Sequence, residues 1–442
     1  MNALEKLFAK KFTENGDESY NTTGDKFLDL LFMSEYYGKH LDEVEISEGE
    51  LEVLFSMFIR DPRFGLGRRD FGRELLKQSG ASMDEVVQCG RYDDVIVTHA
   101  KNFKEAAKYV YSRALAGDEL AKKWLPRFNT RKTALAKKIC ETLEISKKEY
   151  RKAIKANTVE RKMSEKDFDS IDFEHVPSLA MIKYYNRFMK EERFREYLES
   201  VKKGDKKLNV STTTVYDIYK NRESIDADLF FDKLEKISIN CIPILDTSGS
   251  MQDWNDSIGK AMSIAYYLAK CSSYCQGSVV SFSSRPSLIK IKEQNYCTQT
   301  SWNGSKTKIG PLFGISSKFS RELNSMFTGD CSNTDFGAVI SLLGQLDEFP
   351  EYFIVLSDME FDSGSKYNKE TVMNMFRERG VKTKIIWWSF NSRNATVPEL
   401  DEYGNIFMSG YSPMLLKYLE SGFDGKKFLI KLLEEYKKNI GK

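Results

Sequence analysis

No run in this 442-residue sequence approaches the roughly 18 consecutive apolar residues that a membrane-crossing helix needs. The opening residues, MNALEKLFAKKFTENGD, hold no uninterrupted apolar stretch either, so the expectation is an unanchored, cytoplasmic protein. Histidine is scarce. His40, His99 and His175 are the three in the chain, and none stands beside a candidate nucleophile. A Gly-x-x-x-x-Gly-Lys-Ser/Thr phosphate loop is missing. The seven cysteines are odd in number and form no Cys-x-x-Cys pair, which argues against a disulfide framework or a zinc site and for a reducing compartment. Cys271 and Cys275, one helical turn apart, read as core. A net charge of +2 leaves no uniformly basic coat, so any nucleic-acid role has to come from a local patch. These shortages point away from an enzyme.

What is present is a soluble globular composition, 41% apolar and 30% charged, long enough for two or three domains with separate cores. The hydrophobic period changes near residue 235. Before it, TGDKFLDLLFMSEYYG, EGELEVLFSMFIRD, RRDFGRELLKQ, MDEVVQCG, KNFKEAAKYVYSRALAG and DELAKKWLPRF place apolar residues at three- and four-residue steps, punctuated by Gly and Pro. That pattern predicts an all-α domain over 1–235, a right-angled bundle or HEAT-like helical-repeat array without a strict sequence period. After it, strands are expected at 237–246, 277–283, 287–292, 351–358 and 383–390, with helices at 254–272, 318–326, 336–346 and 368–379. This alternation predicts a doubly wound α/β domain over 236–395. Residues 396–442, ending in the amphipathic GKKFLIKLLEEYKKNIG, form a C-terminal segment whose helices pack back on the domains.

Within the second domain, CIPILDTSGSM (Cys241 to Met251) runs an apolar strand into Asp246, Ser248 and Ser250. Pro243 is odd in such a strand and suits its start or an edge. Two readings stand for the loop. It is either a polar strand-to-helix turn with a capping serine, or a set of hard oxygens aimed at Mg²⁺ or Mn²⁺. Thr334, ahead of a helical pattern, and Asp358, closing EYFIVLSD, would lie at the same edge of a parallel sheet, where ligands gather at the topological switch point.

At these five positions the sequence resembles the von Willebrand factor A domain and its metal-ion-dependent adhesion site. The resemblance implies that Ser248, Ser250 and Thr334 ligate the metal directly, and that Asp246 and Asp358 act largely through water. It also implies that a partner's Asp or Glu fills an open position, unless Asp362 turns inward and fills it. Catalysis of phosphoester hydrolysis at such a site is disfavoured, because few of its ligands are anionic.

RDPRFGLGRRDFGRELL (Arg60 to Leu76), CGRYDDV (Cys89 to Val95), KWLPRFNTRKTALAKKI (Lys123 to Ile139), IDFEHVPSLAM (Ile171 to Met181) and LNVSTTTVYDIYK (Leu208 to Lys220) resemble an uncharacterised family of plants, giant viruses and phages. That family pairs a helical domain with a von Willebrand A domain. It is similar in turn to the TROVE module of telomerase, Ro and vault proteins. The Ro resemblance implies a ring or horseshoe of helices that binds single-stranded or structured non-coding RNA. This chain has a shorter helical part, which puts a closed ring in doubt.

Charge distribution bears on RNA independently. Residues 1–50 hold 5 Lys or Arg against 12 Asp or Glu, whereas 101–162 hold 18 against 7. Lys122, Lys123, Arg127, Arg131, Lys132, Lys137, Lys138, Lys147, Lys148, Arg151 and Lys152 are the candidate RNA contacts, with Trp124, Phe128 and Tyr150 as candidate stacking platforms. The competing reading is a solvated helical surface with those aromatics in the core. Arg60, Arg63, Arg68, Arg69 and Arg73 alternate with Asp61, Asp70 and Glu74 and read as salt bridges at a helix start. Asp93 reads as a helix cap over Tyr92. Two functions are thus expected: a Ro-like RNA scaffold carrying a metal site, or a protein-interaction or assembly module whose metal docks an acidic partner.

Overall fold

The computed structural model describes residues 9–440, except 15, 89–90, 129, 254, 284, 302–304, 329–333, 362–373, 375, 377, 392–395, 399–404 and 420–424. The chain forms two compact units, Met1–His40 with Val210–Leu432, and Leu41–Asn209 with Leu433–Lys442.

The second unit is helical. Its helices include Glu50–Arg60, Arg69–Gln78, Tyr92–Thr98, Phe103–Leu115, Glu119–Trp124, Thr133–Thr142, Lys147–Ala153, Ser178–Phe188 and Glu192–Lys203. The first is buried on every side from Phe55 to Arg60, whereas the second buries one stripe, Phe71, Leu75 and Leu76. Helix Lys147–Ala153 starts in a capping box between Ser146 and Glu149, and Glu192–Lys203 stops at Gly204, whose φ of 89° is left-handed. The first two helices cross closely because residue 72 is glycine. A Cβ there would lie 2.7 Å from the Cα of Arg60.

That crossing places Arg60, almost wholly buried, against Asp94, which is buried as well. Arg73 Nε donates to Asp94 Oδ1 at 2.6 Å, and Lys132 pairs with Asp93. Helix Tyr92–Thr98 is preceded by Arg91 and has no side-chain cap, so Asp93 is not the expected cap; it and Asp94 join an internal ion-pair network. Tyr92 donates to Asp118 instead. Burial pushes the Asp94 carboxyl up from its usual range, against the pull of Arg60 and Arg73. The salt-bridge reading of the arginine-rich phrase holds locally at Arg63–Asp61, 3.3 Å, and Arg73–Asp70, 3.1 Å.

The first unit is built on a sheet. Its strands are β1 (Lys10–Phe12), β2 (Glu18–Tyr20), β3 (Cys241–Asp246), β4 (Ser278–Phe282), β5 (Ser287–Lys290), β6 (Cys297–Thr300), β7 (Lys306–Ile309), β8 (Tyr352–Ser357), β9 (Lys384–Ser389) and β10 (Ile406–Ser409). Six form one sheet in the order β10-β9-β8-β3-β4-β5. All neighbours are parallel except β4 and β5, which are antiparallel, so the sheet is mixed. β3 is central, flanked by β8 and β4. Pro243 is tolerated there because it lies opposite Ile354 of β8 but ahead of the β4 pairing, which begins at Ile244.

Helix Ser257–Cys271 packs on β3 and is buried over most of its length. Helices Val215–Asn221 and Ala227–Lys233 belong to this unit. Phe231 meets Tyr266 at 5.0 Å and Phe319 at 5.6 Å, and Asp228 accepts from the amides of Lys318 and Phe319 at the start of helix Lys318–Met326. At the far edge of the sheet, helix Lys26–Phe32 covers β10, with Phe32 and Phe407 edge to face at 5.4 Å. The first 235 residues are therefore not all helical: β1 and β2 form an antiparallel hairpin, and Tyr20 bridges to Val397. The hairpin β6–β7 and strand β10 were also not expected from periodicity. The expected helix over 368–379 lies largely outside the described residues. Among the described residues no helix is long and apolar enough to cross a membrane.

Candidate metal centre and basic helical surface

β3 and β8 are neighbours, and strand order runs one way from β3 and the other from β8. Asp246 ends β3 and Asp358 follows β8, so the two acids stand on either side of that switch point. Both carboxylates are buried. Asp246 is held on each oxygen. Ser248 N donates to Oδ1 at 2.9 Å, folding the loop back on itself, and Ser357 Oγ donates to Oδ2 at 2.5 Å from the adjacent strand. The folded loop brings Ser248 Oγ and Ser250 Oγ to 2.9 Å of one another. Asp253, further along, accepts from Ser257 N at 2.9 Å and anchors the loop to the helix that follows.

Thr334 is buried and directly precedes Asp335, whose side chain caps helix Phe336–Leu343. An aromatic cluster carries that helix start to the same sheet edge. Phe336 contacts Phe282, the register partner of Asp246, at 5.7 Å, Phe361 at 5.6 Å and Trp387 at 5.1 Å. Phe361 lies in the loop after β8, a little beyond Asp358. The loops bearing Asp246, Thr334 and Asp358 thus share one packed floor. The donors are two carboxylates and three hydroxyls, all hard oxygen, which fits Mg²⁺ or Mn²⁺. Among the described residues no group of three or more His, Cys, Asp or Glu side chains is placed to hold a metal, and this set has only two such members. Asp362 lies outside the described residues.

Ser357 was missed by sequence reasoning, although it stands next to Asp358 in the phrase LSDME. Also missed was the contact of the amino-terminal hairpin with this loop: Thr13 Oγ1 donates to Phe361 O at 2.6 Å, and Glu14 N to Glu360 Oε2 at 2.9 Å. No local signal marks a hydrogen bond that spans 348 residues.

The basic residues of the helical unit divide. Lys122 pairs with Glu119 at 2.8 Å and Lys132 with the buried Asp93, so each of these two already has an acidic partner within the unit. Arg127, Arg131, Lys137, Lys138, Lys147, Lys148, Arg151 and Lys152 are exposed. Lys147 and Arg151, one turn apart, lie 4.8 and 5.5 Å from the ring centre of the half-buried Phe128. Arg91 and Lys123 lie 4.0 and 5.2 Å from that of Trp124, and Lys138 lies 4.2 Å from that of Phe103. Tyr150 is not a stacking platform. It is fully buried, its hydroxyl donates to Pro126 O at 2.8 Å, and burial pushes its phenol far above the usual range.

Residues 112–239 match a domain of unknown function, DUF2828, and residues 240–439 match a second, DUF7788. The two matches meet just ahead of β3. A viral relative, the uncharacterised protein L728 of Acanthamoeba polyphaga mimivirus, is 22% identical over an alignment that covers 96% of this chain and 87% of that one. Among solved structures, the Ro (RSR) protein of Deinococcus radiodurans superposes over 93% of both chains with a TM-score of 0.40 and 11% identity.

Proposed function

We propose that the chain is a non-enzymatic binding protein whose sheet unit is a von Willebrand A-type module, with Mg²⁺ or Mn²⁺ at the ends of β3 and β8. The observation that carries this reading is the folded loop after β3. Asp246 is fixed on both oxygens, and the hydroxyls of Ser248 and Ser250 stand 2.9 Å apart beside it. Ser248, Ser250 and Thr334 would hold the ion, with Asp246 and Asp358 supplying negative charge around it. The cation would supply a Lewis-acidic position that prefers a carboxylate to a neutral group, so the partner presents Asp or Glu. A pull-down with and without EDTA tests this, with Thr334→Ala alongside. A partner that stays bound in both, with metal loss confirmed, contradicts metal-mediated docking.

A second reading rests on a different observation, the exposed cations around Phe128 and along helices Thr133–Thr142 and Lys147–Ala153. In it the helical unit binds single-stranded or structured non-coding RNA, in the manner of a Ro-like scaffold, through phosphate contacts aided by stacking. Nucleic acid that co-purifies with the protein and is displaced by salt would support it. A chain that binds no RNA even at low salt would end it.

A further inference from the structure

The loop that carries Asp358 is held in an unfavourable backbone conformation. Met359, next in the chain, has a φ of 68°, in the left-handed region that residues other than glycine seldom enter. Such strain persists only where the surroundings over-determine it. On one side, Met359 N donates to Ser357 Oγ at 2.9 Å, and that hydroxyl reaches Asp246. On the other side stands the turn of the β1–β2 hairpin. Thr13, buried in the turn, donates to Phe361 O at 2.6 Å, and its hydroxyl in turn accepts from Asp17 N at 3.0 Å. Glu14 N donates to Glu360 Oε2 at 2.9 Å. The hairpin itself is fastened at its base, where Tyr20 and Val397 exchange both backbone hydrogen bonds, at 2.8 and 2.7 Å.

We infer that Thr13 is a positioning residue of the metal centre: the hairpin turn clamps the strained Asp358–Phe361 loop and so fixes the backbone from which Asp358 serves the cation. This rests on the metal reading above and adds to it a distant support that no ligand motif contains. The path from the clamp to the site is short. Thr13 fixes the carbonyl of Phe361, whose ring is packed against Phe282 and Phe336, and Met359 and Asp358 lie between that point and the end of β8.

The test is calorimetric titration of Mn²⁺ into the full chain in wild-type, Thr13→Val, Thr13→Ser and Asp246→Ala forms, with metal-free thermal melts of each. Valine keeps the shape of threonine and removes its hydroxyl, both the donor to Phe361 O and the acceptor for Asp17 N. Removing a supporting hydrogen bond of this kind is expected to weaken Mn²⁺ binding about 10-fold. Thr13→Ser should restore wild-type affinity, and Thr13→Val should still melt cooperatively without metal, at a temperature lowered only by the loss of these hydrogen bonds. In Thr13→Val the amides of residues 359–361 should also exchange hydrogen faster without metal. If Thr13→Val binds Mn²⁺ as the wild type does, or does not fold, the positioning role is overturned while the metal centre stands. If wild-type protein binds no Mn²⁺, the metal reading falls first and this inference with it.

Discussion

Ser357 Oγ donates to Asp246 Oδ2 at 2.5 Å, tying the carboxyl ends of two neighbouring parallel strands together at the point where strand order reverses. The same hydroxyl accepts from Met359 N, so one serine orients an acid on β3 and the backbone after β8. Ser357→Ala should therefore lower divalent-ion affinity by about 10- to 100-fold, with Ser357→Thr closer to wild type. Titration of Mn²⁺ followed by calorimetry reads this. Unchanged affinity in the alanine variant would show that Asp246 needs no such partner.

The buried pair of Arg60 and Asp94 should matter to stability rather than to binding. Arg60→Met removes one of the two arginines that hold the buried Asp94 and leaves it with Arg73, a loss of a charged hydrogen bond that costs about 1.5–3 kcal/mol. Denaturant unfolding should show an earlier midpoint at an unchanged slope. A midpoint like that of the wild type would mean the network contributes little.

Gly72→Ala tests the helix crossing that seats Arg60. The added Cβ would meet Arg60 backbone atoms at 2.7 Å, and backbone cannot swing aside as the end of a flexible side chain can. Overpacking of this kind costs about 1–3 kcal/mol. A neutral effect in the same unfolding assay would show that the two helices separate freely.

Replacing Lys137, Lys138, Lys147 and Lys148 with Glu should weaken single-stranded RNA binding and flatten its salt dependence, by about 0.7 in logarithmic slope for each phosphate that the protein ceases to neutralise. Gel-shift titrations across a salt series measure both. Lys122 and Lys132 are poor choices for this test, because each already has an acidic partner. Asp246→Ala should leave any RNA binding intact.

Much of this architecture is legible in the sequence where one period dominates a long segment. The helices Glu50–Arg60, Arg69–Gln78 and Phe103–Leu115 fall on segments chosen for apolar three- and four-residue steps, and β3, β4, β8 and β9 on short apolar runs. The hairpin β1–β2 was hidden because its strands have three residues each and are largely exposed, too short for alternation to register. Strand β10, Ile406–Ser409, is buried throughout and reads like any apolar patch. Residues 210–235 read as part of the helical half and hold two short helices, Val215–Asn221 and Ala227–Lys233. Their place with the sheet comes from partners such as Tyr266 and Phe319, which no local pattern names.

The candidate site shows the same division. Asp246, Ser248 and Ser250 were visible because they are neighbours in sequence, and Asp358 because it ends an apolar strand. Asp93 was misread as a cap because an acid near a helix start suits that role, whereas tertiary contacts gave it Lys132 and Arg73. The support from Thr13 was invisible for the reason that the chain must fold before residues 13 and 361 meet.

The most direct measurement is a Mn²⁺ titration of metal-free wild-type protein and of Asp246→Ala, side by side in one calorimeter. Saturable binding by the wild type and none by Asp246→Ala, with both melting cooperatively, is the expected result. Equal binding by the two, or none by either, would contradict a metal centre at the ends of β3 and β8.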